Sequence, residues 1–150
     1  MKRISCHYLV LITLIGLAAT LSAQHKSPAA YWESLTVGEK TAFVNGAYTT
    51  ASRLKIYHME EVKKQYGHDP YWREPYFIER FYEILDQHIA EGVGYNIDII
   101  VQAVDALYSN YDNVQIPIIE ALRIVSTAQD GDRDKANVLL LKAQRQYREK

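Results

Sequence analysis

Apolar side chains in this chain recur three and four residues apart, and no stretch alternates apolar with polar residues over a strand's length. That spacing gives an α-helix one apolar face and gives a β-strand no face to bury. The fold expected is therefore all-α, a compact bundle of about five helices. Thr36 and Glu39 have capping-box spacing and open the first. Phe43, Ala47, Thr50, Ala51, Leu54 and Tyr57 form its inward face, and the helix stops before Gly67. Gly46 costs about 1 kcal/mol in a helix interior, which is reasonable where a second helix crosses closely.

Residues 68–74 read as a loop braced by Pro70, with Pro75 in the first turn of a second helix. Phe77, Phe81, Ile84, Leu85 and Ile89 point inward along it, and Gly92 ends it. Asn96 caps a third helix with a buried stripe of Ile97, Ile100, Val101, Val104, Leu107, Tyr108 and Tyr111. A turn at Asp112-Asn113 leads to Pro117, which opens a fourth helix carrying Ile118, Ile119, Leu122 and Val125. Gly131 closes that helix. Asp132 caps the last, which carries Leu140, Ala143 and Tyr147, and the polar end from Gln144 to Lys150 is expected to fray.

The N-terminus has a separate character. Lys2 and Arg3 precede an uninterrupted apolar run from Tyr8 to Leu21, followed by the short exit Ser22-Ala23-Gln24. These are the three parts of a cleavable secretory signal, residues 1–23, with the cut after Ala23 or one residue earlier. The run is shorter than the roughly 20 residues that span a hydrocarbon core, so no stable membrane span is expected after cleavage. Residues 24–35 then read as a tether ending in Tyr31-Trp32, and 36–150 as a single helical domain. The expected location is the periplasm or the exterior of a bacterial cell.

Cleavage removes the only cysteine, Cys6, and two basic residues but no acid, so the formal charge moves from −1 to −3. Thiol catalysis, thiolate zinc and iron–sulfur sites are thereby excluded from the mature part. An acidic exported chain is no partner for nucleic acid, which demands a clustered basic face.

No other chemistry-bearing motif is complete. Asp130, Asp132 and Asp134 alternate as in a calcium loop, but Lys135 stands where the sharp turn needs glycine and Leu141 where the bidentate glutamate belongs. Gly92-Val93-Gly94 lacks the rest of a phosphate-binding fingerprint. The histidines show no metal spacing, and no Glu-x-x-His pair suits a di-iron bundle. No cofactor, metal or catalytic residue is expected.

One feature stands out. Seven aromatic residues fall between Tyr66 and Tyr82, and Tyr71, Trp72 and Tyr76 lie in or beside the proline-braced loop with Arg73 among them. Tyr, Trp and Arg carry much of the binding energy at protein interfaces, so these four are the candidate partner-binding residues. A lid over the open end of the bundle would use the same residues. Gly46, Asp105, Asn113, Pro117 and Glu120 are candidates for a structural turn or a secondary surface.

The segment EKTAFVNGAYTTA, followed at a distance by IVQAVDALYSNYDNVQIPIIEAL, resembles small exported bacterial helical domains, and within them the Tai-type immunity proteins of type VI secretion. The likeness lies in Phe43-Val-Asn-Gly46 and in the helix, turn, Pro117, helix unit, over residues 36–125. Two positions depart from the pattern: the mature part has no cysteine pair, and Thr50 replaces a second small residue. The resemblance implies a periplasmic protein that disarms a peptidoglycan-degrading toxin by binding it. The function expected is thus a non-enzymatic binding domain whose partner is another envelope or secreted protein. Two alternatives stay open. A small-molecule or cell-wall-fragment site, enzymatic or not, would need Glu79 and Glu83 to converge with Asp98 or Asp105. A structural accessory of the envelope would need no such site.

Overall fold

The computed structural model describes residues 27–89 and 96–148, so the signal at 1–23 and the Gly92–Gly94 break lie outside the described residues. Among the described residues six α-helices follow one another: α1 (Pro28–Glu33), α2 (Val37–Tyr66), α3 (Tyr76–Asp86), α4 (Ile97–Tyr108), α5 (Ile118–Gln129) and α6 (Arg133–Tyr147). A single 3₁₀ turn, Tyr111–Asn113, joins α4 to α5. The described residues contain no strand.

The capping chemistry explains most of the helix boundaries. The Thr36 hydroxyl accepts from the Glu39 amide at 3.3 Å, and the Glu39 carboxylate accepts from the Thr36 amide at 2.7 Å. The Thr36 amide and the Thr36 hydroxyl both donate to the Glu39 carboxylate and hold it below its ordinary pKa. Asp132 accepts from the Lys135 amide at the start of α6. Gly131 precedes it with φ 94°, which only glycine adopts without strain. Pro75 and Pro117 stand one place outside their helices, at the N-cap. Asn96 holds the N-cap of α4, but its side chain makes no capping bond.

The core lies between α1, the N-terminal half of α2, α4, α5 and α6, with Trp32, Val44, Tyr48, Ile100, Val104, Ile116 and Leu122 at its centre. Helix α5 is the middle element: Ala121, Leu122, Ile124, Val125, Ser126 and Thr127 are all buried. The Tyr48 hydroxyl meets Ser126 Oγ at 2.5 Å, so these two buried polar groups satisfy each other.

Several expectations are corrected. Pro28–Glu33 is a helix and not a tether, and Trp32 is fully buried. The inward face of α2 is turned by one residue: Val44 and Tyr48 are buried, Phe43 and Ala47 half-buried, Leu54 and Tyr57 exposed. The turn is equally clear in α3, where Ile78 is buried while Phe77, Phe81 and Ile84 are exposed. Tyr111 leaves the α4 stripe because the 3₁₀ turn swings it outward. Ile119 faces outward on α5. No helix crosses at Gly46, where an added methyl group would meet nothing within 4 Å. Helix α6 runs on to Tyr147 without fraying at Gln144, whose amide donates to Asn113 Oδ1 at 2.9 Å.

Tyr108 supplies a pH test of the core. Its hydroxyl donates to the Ile116 carbonyl at 2.7 Å, and burial pushes its pKa well above the ordinary 10.0. A phenol that ionises later in the folded chain stabilises it fully below the unfolded value, and this is lost as pH rises past about 10. Tyr108→Phe is expected to flatten the alkaline fall in stability, read by urea unfolding at stepped pH. Parallel profiles for the two proteins would refute it.

Candidate functional site

Helix α2 has 30 residues, about 45 Å at 1.5 Å per residue, and only its first half meets the core. The second half pairs with α3 to make a hairpin. Lys55 bonds Asp86 at 2.6 Å, and His58 Nδ1 meets the Tyr82 hydroxyl at 2.9 Å. Near the tip the Tyr66 and Trp72 rings stack in parallel, centroids 5.3 Å apart and planes 6° apart. The loop between the helices is held by Asp69, whose carboxylate accepts from the Tyr71 amide and whose carbonyl accepts from the Trp72 amide.

The four residues singled out for partner binding sit on this tip with different roles. Tyr71 and Tyr76 are 90% and 72% exposed. Arg73 is exposed and forms no ion pair among the described residues. Trp72 is half-buried against Tyr66, which fixes its ring. Below the tip, Phe77 at 71% exposure, Phe81, Ile84, Tyr57 and Leu54 continue the apolar surface along both helices. Large apolar side chains left exposed on two paired helices mark a candidate contact surface.

Farther down, the hairpin meets α5 around an open cleft of about 560 Å³. Phe43, Gly46, Ala47 and Ala51 of α2, Leu85 and His88, and Ile119 line it. Gly46 therefore borders open space and keeps this wall of the cleft low. Periodicity assigned most of these residues to the core. The available signal was an excess: Tyr76-Phe-Ile-Glu-Arg-Phe-Tyr-Glu-Ile-Leu85 carries apolar side chains for two adjacent helix faces, and a single-sided helix buries only one.

The second group has structural bonds. Asp105 Oδ1 accepts from Trp32 Nε1 at 2.7 Å and from Lys40 Nζ at 2.8 Å, tying α1 and α2 to α4. Asn113 is 3% exposed, donates to the Leu107 carbonyl at 2.7 Å and accepts from Gln144. Glu120 pairs with Arg123, whose guanidinium also donates to Gln87 Oε1 at 2.7 Å and 2.9 Å. Pro117 presets the chain for α5.

Of the carboxylates that a catalytic pocket would need, Glu79 is exposed and forms no ion pair among the described residues, and the other three are engaged separately. Glu83 pairs with Arg80, Asp105 with Lys40, and Asp98 accepts from Thr41. Among the described residues no group of three or more His, Cys, Asp or Glu side chains could hold a metal ion. None of their helices is long and apolar enough to cross a membrane. No protein-family model, curated protein or solved structure matches this chain.

Proposed function

We propose that the chain is an exported, non-enzymatic binding domain of the bacterial envelope, of the immunity type, which neutralises a secreted toxin by covering part of it. The observation that supports this reading is the α2–α3 hairpin, which carries exposed aromatic and apolar residues from Leu54 to Ile84 and is braced internally by the Lys55–Asp86 pair and the Tyr66–Trp72 stack. Tyrosine and tryptophan on a fixed scaffold bury large area at low entropic cost, which suits a protein interface. The signal-like N-terminus and the −3 charge of the mature part favour an envelope or secreted protein as the partner.

The test is capture from native envelope with a photo-crosslinking residue at position 76 of the full chain, followed by affinity measurement with the isolated partner. Trp72→Ala and Arg73→Ala are each expected to weaken binding by roughly tenfold or more, the effect of losing an interface anchor. Unchanged affinity in both variants, or no protein captured, would overturn the proposal.

A further inference from the structure

A second cleft, about 440 Å³, lies at the hairpin tip and is lined by Trp72 and Tyr82, by Ile56 and Met59, and by Glu60 and Glu74. We propose that this cleft receives an arginine side chain of the partner protein, an inference that rests on the protein-binding reading above.

The geometry of Trp72 comes first. Its ring is stacked on Tyr66, and Trp72 lines the cleft while Tyr66 does not. One face is therefore covered and the ring is held in place before any ligand arrives. The π-face of tryptophan is the strongest side-chain platform for a cation. Charge complementarity comes second. Neither Glu60 nor Glu74 forms an ion pair among the described residues, whereas Glu61, Glu83 and Glu120 each pair with a basic neighbour. Burial raises the Tyr82 phenol above its ordinary range, the charge of Glu74 adding to this and Lys55, itself paired with Asp86, opposing it. Lys63 also borders the cleft but forms no ion pair among the described residues. The lining keeps a net negative charge.

An aromatic wall with unneutralised carboxylates selects an organic cation. The cleft is open, with Met59 and both glutamates largely exposed, so a free small cation would leave most of its surface in water. A side chain delivered by a larger surface needs less enclosure, since the rest of that surface excludes water around it. Arginine fits better than lysine because its planar guanidinium stacks flat on an indole while forking to a carboxylate.

The experiment is a fluorescence titration of the full chain. Trp32 is fully buried in the core, so quenching by an added solute reports Trp72, and Trp72→Phe checks that assignment. The probes are N-acetyl-arginine amide, its neutral isostere N-acetyl-citrulline amide, and N-acetylglucosamine for the sugar-stacking possibility. The arginine probe is expected to quench weakly but saturably and to bind about two- to fivefold more tightly than either neutral probe, the preference of an exposed cation–π contact. The double variant Glu60→Gln, Glu74→Gln, altered only at exposed positions, is expected to erase that preference while circular dichroism shows the fold intact. Equal binding of citrulline or sugar, or an unaltered preference in the double variant, overturns the assignment. The protein-binding reading fails on different data, by capturing no protein. Arginine binding without a captured protein would remove the partner as the source of the cation and overturn the proposal on that ground.

Discussion

Trp32→Ala is expected to lower stability by about 3–5 kcal/mol, enough to consume most of the margin of an ordinary single domain. The side chain is fully buried and meets Phe43 edge to face at 6.1 Å. Lys40 lies over its ring at 5.4 Å and bonds the same Asp105 oxygen that accepts from the indole. Removing the ring opens a cavity between α1, α2 and α4 and also leaves Asp105 with one donor fewer. Trp32→Phe separates the two contributions, since it keeps much of the packing and loses the indole donor, for about 1–2 kcal/mol. Urea unfolding decides the matter: a fall in midpoint with unchanged slope measures the loss as stability. A change within about 0.5 kcal/mol would be the result for a tether residue, and it would contradict the packing of α1.

That contrast marks where sequence reasoning succeeded and where it stopped. Thr36 with Glu39, Asp132 after Gly131, and the stripe Ile100, Val101, Val104, Tyr108 were legible because each depends on neighbours within one or two turns. Helix α1 was not. A six-residue helix is too short to be stable alone, so its existence depends on what Trp32 meets 73 positions along the chain, at Asp105. Ser27 and Pro28 did carry the local signal, a cap followed by a first-turn proline, and the Ser27 hydroxyl accepts from the Ala30 amide.

The one-residue rotation of α2 and α3 has a different cause. Spacing identifies a helix with an apolar face, but when two adjacent faces are apolar it cannot choose between them. In α3 the choice fell on Ile78, and Phe77, Phe81 and Ile84 were left outside. The aromatic tip was visible as composition, while the cleft of Trp72, Glu60 and Glu74 depends on a hairpin that brings position 60 next to position 74. Gly46 misled for the opposite reason: its missing side chain leaves a wall low and makes no room for a crossing helix.

Asn113 is where the local and the long-range arguments meet, and Asn113→Ala is expected to cost about 2–3 kcal/mol. The side chain fills a buried position in the 3₁₀ turn, donates to the Leu107 carbonyl that ends α4, and accepts from Gln144 near the end of α6. A carbonyl can only accept, so the amide nitrogen must face Leu107, which fixes the orientation of the whole group. Alanine leaves that carbonyl without its side-chain donor and frees Gln144 to turn toward water. The more telling variant is Asn113→Asp, which has the same shape. Its carboxylate still accepts from Gln144 but sets a second acceptor against Leu107 and buries a charge, so at neutral pH it should be no more stable than alanine. Protonation restores a donor toward Leu107. The introduced carboxyl is therefore expected to have a raised pKa, and the deficit relative to the parent should be smallest at acid pH and grow as pH rises through the carboxylate range. Matched urea titrations of the parent and both variants from acid to neutral pH test this. An aspartate variant as stable as the parent at neutral pH would show that the turn does not depend on the amide.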